Sequence, residues 1–108
     1  MGNRISIQFK DTTSKSPVLF SHWAGIQLKE LAETYVKELN KTIIKVGTTW
    51  PLYRKEARTV IVDFIRWLTQ GEYYKTGEPV SSDLYMGMDE NDGDNSDNGH
   101  FIIDLTKK

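Results

Sequence analysis

The chain has 108 residues, 38% of them hydrophobic, and its 14 basic and 15 acidic side chains give a formal net charge of −1. This length and composition predict a single domain over residues 1–108 with an apolar core of its own. No apolar run approaches the length of a membrane span, and the first residues lack the apolar region of a secretory signal. The absence of cysteine excludes disulfides and thiolate chemistry. We therefore expect a soluble, cytoplasmic protein.

The near-neutral net charge conceals an uneven distribution. Residues 89–97, DENDGDNSD, contain five acids and no base. The rest of the chain then holds 14 basic and ten acidic residues, a net charge of +4. The sequence therefore predicts one acidic segment on a mildly basic body.

Two strands are predicted at the start of the chain. Residues 4–9 alternate apolar and polar side chains, which is the period of a half-buried strand. Residues 11–17 are polar and turn-prone, and residues 18–23 then predict a second strand that begins after a proline. The short polar connection indicates that the two strands form a hairpin.

Two amphipathic helices are predicted in the middle of the chain. From Ile26 to about Asn40, apolar residues recur at three- and four-residue steps, and asparagine suits the end of a helix. Residues 42–46 fit either a short strand or an extended linker. The second helix is expected to begin near residues 49–51, where threonine and proline favour a helix start, and to end at Gly71.

The last part of the chain predicts two more strands. Residues 84–88 and 99–105 each alternate, and the acidic segment is expected to be the hairpin loop between them. The element order is then β-β-α-α-β-β, with a hairpin at each end. This order predicts an α+β fold of two layers, in which an antiparallel sheet of about four strands packs against two helices.

The acidic segment contains the candidate metal ligands Asp92, Asp94 and Asp97. Oxygen-bearing side chains at alternate positions are typical of calcium loops. Counted from Asp94, however, position twelve is Leu105, where a calcium loop requires an acid. The simpler interpretation is a solvated, extended loop whose charges repel one another. No cofactor is expected beyond weak binding of a divalent cation such as calcium.

His22 and Trp23 are candidate binding residues, and His22 is the candidate catalytic residue. They lie where the second strand gives way to the first helix. Ser21 is next to His22 but points to the opposite strand face, so the two do not form a catalytic pair. An imidazole base needs an orienting carboxylate. The sequence leaves three acids open for that place: Asp63, Asp83 and Asp104.

Two further groups are candidate binding residues. Arg54 and Arg58 lie on a basic side of the second helix near aromatic residues, a pattern that can follow a phosphate backbone. The net charge of −1 is far from that of a dedicated nucleic-acid binder, so such binding is not favoured. Tyr73 and Tyr74 stand in a polar connection, where they indicate either an interface patch or a cover over a sheet edge.

The segment Val18–Gly25, VLFSHWAG, resembles a V-L-[FY]-x-H-W-x-G stretch in a group of small uncharacterised proteins of archaea, bacteria and phages. Residues 99–104, GHFIID, are similar to the closing strand of the same group. The resemblance implies no activity, substrate or cofactor. It does draw attention to His22 and Trp23.

The sequence contains no phosphate-binding loop, serine-nucleophile motif or zinc-protease motif. We therefore expect a small, non-enzymatic interaction or accessory domain. It would bind a protein partner or a second copy of itself through an aromatic surface or a sheet edge. Two alternatives stay open. One is a metal-dependent hydrolase or nuclease that uses a histidine and the acidic loop to activate water, and the other is weak nucleic-acid binding by the second helix.

Overall fold

The computed structural model describes residues 2–45, 55–70 and 83–106. Within these ranges the predicted α+β class and element order are confirmed. The elements are β1 (Ile5–Lys10), β2 (Val18–Ser21), α1 (Ile26–Lys45), α2 (Ala57–Gln70), β3 (Leu84–Gly87) and β4 (His100–Asp104). Neither of the described helices has the length and apolar character that a membrane crossing requires.

The four strands form one mixed sheet in the order β3-β2-β1-β4. β2 is antiparallel to both β1 and β3, so the predicted hairpin of the first two strands is confirmed. β4 runs parallel to β1, with Ser6 opposite His100 and Lys10 opposite Asp104. The prediction of a wholly antiparallel sheet is therefore wrong. The predicted hairpin of the last two strands is also wrong, because β3 and β4 form opposite edges of the sheet.

The connection between β3 and β4 crosses the sheet because these two strands point in the same direction. A chain that leaves the end of β3 must return along the length of the sheet before β4 begins. Residues 88–99, which we call the lid, make this return. Gly93 of the lid contacts Phe20 of β2, and Asn95 bonds to Ser6 of β1. The acidic segment therefore covers the sheet face opposite the helices.

The helices cover the other face of the sheet. Ile5, Ile7 and Phe9 alternate along β1 toward this face and are fully buried. The Phe9 ring meets the ring of Phe64 edge-on at 5.5 Å between centroids, and Tyr35 of α1 lies 5.4 Å from Phe64. This aromatic cluster joins both helices to β1, and its burial is a main stabilising contribution of the fold.

The first helix is longer than predicted. α1 continues to Lys45, past the expected end at Asn40, and it includes residues 42–45, which we expected as strand or linker. The hydroxyl of Thr42 donates a hydrogen bond to the carbonyl oxygen of Glu38, one turn earlier. The low helix propensity of β-branched residues amounts to only tenths of a kcal/mol each, so a continuing helix overrides it.

The second helix receives its N-terminal cap from a distant residue. α2 begins at Ala57, whereas the expected start at residues 49–51 and the expected stop at Gly71 lie outside the described residues. The Asp11 Oδ2 accepts the backbone N–H of Ala57 at 2.8 Å, across 46 residues of sequence. A carboxylate at this position satisfies a free donor and favours the positive end of the helix.

Candidate functional site

The junction between β2 and α1 holds His22 and Trp23 in a hydrogen-bonded frame. The buried Asp83 Oδ1 accepts the backbone N–H groups of His22 at 2.9 Å and of Trp23 at 3.0 Å. The Ser21 hydroxyl donates to the same oxygen at 2.9 Å and accepts the N–H of Ala24 at 2.9 Å. Three acids were considered as orienting partners of His22, and the structure places Asp83 beside it. The Asp83 carboxylate accepts the backbone N–H of His22.

An aromatic surface extends from this junction. It consists of His22, Trp23 and Tyr85, and the ring centroids lie 5.3 Å apart for His22–Trp23 and 5.0 Å apart for His22–Tyr85. Tyr85 in turn stacks on the fully buried ring of Phe20 at 5.0 Å. Trp23 is 55% exposed. The rings thus lead from the core to an accessible indole, a side chain that is frequent in interfaces.

The lid is a folded segment and not the extended loop that charge repulsion would produce. The Asp92 Oδ2 accepts the N–H groups of Met88 at 2.6 Å and of Asp89 at 3.2 Å. Gly93 lies so close to the sheet that an added Cβ would come within 2.7 Å of the Tyr85 ring. The expectation of an extended loop is wrong because the carboxylates bind backbone donors of the lid itself.

Arg4 ties the lid to the start of β1. Its backbone N–H donates to the Asp97 Oδ2 at 2.9 Å, and its guanidinium lies 3.2 Å from Asp94 and 3.6 Å from Asp97. The metal candidates Asp92, Asp94 and Asp97 therefore all accept hydrogen bonds from the chain. Within the described residues, no three acidic or histidine side chains are grouped so that they could hold a metal ion. The metal-dependent hydrolase stays a prediction without structural support.

A partly buried polar network lies under the lid. The Ser6 Oγ is 2.7 Å from the His100 Nδ1 and accepts a hydrogen bond from the Asn95 Nδ2 at 2.9 Å. The His100 Nε2 lies 3.2 Å from the Gln8 Oε1, whose amide nitrogen donates to the Ser16 carbonyl. Serine, histidine and glutamine here follow the order of nucleophile, base and orienting group. Ser6 is fully buried, so this network is a structural one.

Burial and the hydrogen bonds of this network favour a neutral His100. Burial lowers the pKa of His100 below its ordinary value of 6.5; Lys15 lowers it further, and Glu90 opposes the shift. Because the Gln8 nitrogen donates to Ser16, the Gln8 Oε1 accepts from the His100 Nε2, and the Ser6 hydroxyl donates to the Nδ1 of the neutral ring. The neutral imidazole with a proton on Nε2 satisfies all these contacts.

A groove of about 430 Å³ lies between α1 and β4. β4 is an edge strand, and within the described ranges no strand pairs with its outer side. The residues that line the groove are Lys29, Glu33, Val36, Lys37, Asn40, Ile102, Ile103 and Asp104. Charged and aliphatic side chains therefore meet beside an open sheet edge.

The register of β4 defines which backbone groups face this groove. The Ser6 N–H donates to the Gly99 carbonyl and the Leu105 N–H donates to the Lys10 carbonyl, so the odd-numbered residues of β4 bond to β1. The backbone N–H and C=O of Ile102 consequently point away from the sheet. The Ile102 side chain is 45% exposed. This position offers both hydrogen-bonding groups and apolar surface to a further strand.

Of the remaining predicted binding residues, the structure describes Arg58. Arg54, Tyr73 and Tyr74 lie outside the described residues. Arg58 is exposed on α2, while Arg66 of the same helix forms an ion pair with Asp63 at 2.8 Å. Nucleic-acid binding by the second helix therefore stays a prediction.

Comparison with known proteins identifies no relative. No protein-family model matches the chain, and neither the curated proteins nor the solved structures contain a significant match. The resemblance of the Val18–Gly25 segment to small archaeal, bacterial and phage proteins therefore stays a prediction. Any functional conclusion must come from the geometry of the chain.

Sequence reasoning missed the groove and its residues Lys37 and Ile102. One signal was present in the run Phe101–Ile103, which is apolar at three successive positions. Since side chains alternate along a strand, one apolar residue of such a run faces away from the helix-covered core. The position of that residue on an outer edge depends on the parallel pairing of β4, which the local sequence does not show.

Proposed function

We propose that this chain is a small protein-interaction domain that binds an extended segment of a partner protein in the groove between β4 and α1. The observation that supports this proposal is the open edge of β4 beside a groove of about 430 Å³. A peptide can add to a sheet edge as a further strand, with affinity from main-chain hydrogen bonds and specificity from neighbouring side-chain contacts. This open edge supports the expectation, made from the sequence, of binding through a sheet edge.

The apolar part of the groove supports binding of an aliphatic side chain. Ile103 and Val36 are largely buried in its wall, whereas Ile102 exposes almost half of its surface beside the edge. In an added strand, alternate side chains would contact Ile102 and the α1 wall. A partner segment with an aliphatic residue at one of these positions removes this apolar surface from water.

The charges of the α1 wall favour a partner segment that carries an acidic residue. Glu33 is already held by Lys29, with 3.3 Å between the Lys29 Nζ and the Glu33 Oε2. Lys37 forms no ion pair with any described residue. The Lys55 Nζ donates to Asn40 at 3.0 Å and adds a second ammonium group near this end of the groove. An acidic side chain opposite Lys37 is therefore complementary in charge.

A library of random peptides displayed on phage tests this function without a known partner. Selected peptides are expected to contain aliphatic and acidic residues and to bind the wild-type protein. Ile102→Pro removes the outward N–H of the edge without breaking a bond to β1, and Ile102→Lys removes the apolar contact. Both changes should weaken binding by about tenfold or more, equivalent to about 1.4 kcal/mol.

Val62→Lys is the matched control, since Val62 is a 66% exposed aliphatic residue on α2, away from the groove. This variant should bind like the wild type. Lys37→Glu should reduce the affinity for acidic peptides. Equal binding by the wild type and both Ile102 variants would contradict the proposed function, as would a selection without enrichment. Loss of peptide binding together with concentration-dependent self-association of the wild type would instead indicate that a second copy occupies the edge.

A further inference from the structure

We propose that His100 makes the closure of the lid sensitive to pH, so that the lid opens when this histidine is protonated. One attachment of the lid to the sheet is a chain of contacts from Asn95 to Ser6 and from Ser6 to His100. This chain lies over β1 and connects residue 95 of the lid with the first residue of β4. The proposal is independent of peptide binding in the groove.

The hydrogen bonds of Ser6 require a neutral His100. The Ser6 oxygen accepts the Asn95 amide proton, and its own proton goes to the His100 Nδ1 at 2.7 Å. Gln8 cannot rotate its amide to help, because its nitrogen donates to the Ser16 carbonyl at 2.8 Å and its oxygen faces the His100 Nε2. A proton on the His100 Nδ1 would therefore point at the Ser6 oxygen, and the Ser6 hydroxyl proton would lose Nδ1 as its acceptor.

The closed lid leaves no good arrangement for the protonated form. Ser6 is fully buried, so a hydroxyl proton that loses its acceptor there is unfavourable. Two charged residues act on His100. Glu90 of the lid favours a positively charged imidazole, and Lys15 of the β1–β2 connection opposes it. β1 contributes Ser6 and Gln8, which are uncharged. Opening of the lid admits water, which can solvate both the imidazolium and the Ser6 hydroxyl.

The other attachments of the lid do not involve His100. Arg4 pairs with Asp94 and Asp97, and the Ser96 hydrogen bonds lower the pKa of Asp94 below its ordinary value of 3.8. Protonation of His100 acts directly on its contact with Ser6, whereas the other histidine, His22, interacts electrostatically with Asp94. An open lid exposes the stacked rings of Phe20 and Tyr85, since Gly93 lies directly against both.

Amide hydrogen exchange measured by NMR tests this inference. The reporters are the N–H groups of Asp94, Asn98 and Gly99, which donate to Tyr85, Arg4 and Asn95 respectively. After correction for the intrinsic exchange rate, their protection should fall by about tenfold between about pH 7.5 and about pH 5. The protection of α2 amides such as that of Phe64 should stay constant. An unchanged protection of the lid amides would overturn the proposal.

His100→Asn separates protonation of this residue from other effects of pH. Asparagine places a hydrogen-bond acceptor near the position of Nδ1 but does not titrate, so lid protection in this variant should not depend on pH. His22→Asn is the matched control, since His22 is the second histidine of the chain, and it should keep the wild-type pH dependence. A pH dependence that persists in His100→Asn would contradict the inference.

Asn95→Ala provides the test if His100→Asn does not fold. This change removes the lid side of the contact and leaves the imidazole in place. The His100 ring should then still titrate in the NMR spectrum, while lid protection is low at all pH values. Lid protection that still falls with pH as in the wild type would refute a role for the Asn95–Ser6–His100 chain.

Discussion

The two faces of the sheet are held in different ways although one strand serves both. β1 sends Ile5, Ile7 and Phe9 to the helices and Ser6 and Gln8 to the lid, and all five are buried. The helix face is held mainly by apolar contacts, which do not depend on the protonation of a side chain. The lid face is held by hydrogen bonds that need a particular protonation state. Burial alone therefore does not predict whether the contacts of a sheet face depend on pH.

The largest effect on stability is expected from a substitution that disrupts the helix face of the sheet. Phe64→Ala removes a fully buried ring from the cluster with Phe9 and Tyr35, and the free energy of unfolding should fall by about 3–5 kcal/mol. Urea unfolding followed by circular dichroism measures this change. Val62→Ala on the exposed side of the same helix should stay within about 0.5 kcal/mol. Similar losses for the two variants would show that the ring cluster is not the core.

A smaller effect is expected when the lid face is broken. Ser6→Ala deprives the His100 Nδ1 and the Asn95 amide of their partner, and the free energy of unfolding should fall by about 1–3 kcal/mol. A double-mutant cycle with Asn95→Ala should give a coupling of about 0.5 kcal/mol or more. Strictly additive losses would mean that the lid is not held through Ser6.

The Asp11 cap sharpens the comparison, because it adds a charged contact to the helix side. Asp11→Ala should reduce the free energy of unfolding by about 0.5–2 kcal/mol through loss of the bond to the Ala57 N–H. That bond holds the pKa of Asp11 well below its ordinary value of 3.8. A lowered folded-state pKa means that this contribution is complete above pH 3.8 and is lost as the pH falls further.

Unfolding measured at a series of pH values checks the Asp11 prediction. The difference between wild type and Asp11→Ala should shrink below pH 3.8, where the unfolded carboxyl becomes protonated. The contribution of neutral His100 to the free energy of unfolding is lost earlier in such a titration than that of Asp11. It declines as the pH drops below 6.5. A difference that stays constant down to low pH would show that Asp11 does not act as a charged cap.

The smallest effect is expected at the exposed junction. Trp23→Ala should change the free energy of unfolding by no more than about 0.5 kcal/mol, because the indole is 55% exposed and Asp83 binds the backbone N–H. Asp83→Ala is the matched comparison and should cost more, since the N–H groups of His22 and Trp23 then lose an acceptor. A large loss on Trp23→Ala would show that the ring is part of the core.

Local periodicity was sufficient to predict the helices and strands, but it did not predict which strands pair in parallel. The stripe of α2 and the alternation of β1 are properties of neighbouring residues, so both were predicted from sequence. The parallel pairing of β4 depends on a partner more than 90 residues away, as in the Asn98 to Arg4 contact. Ser6 and His100 are separated by the same number of residues in the sequence, and the groove depends on the same strand pairing. His22 and Trp23 were found because they follow a strand directly.

The most direct test of the proposed function is hydrogen exchange of the Ile102 amide, with and without a peptide selected from the random library. If the peptide adds to β4, the outward Ile102 N–H should gain protection, while that of Ile103, which points to β1, changes little. The Val62→Lys control should give the same result. Peptide binding that leaves the Ile102 amide unprotected would contradict the account.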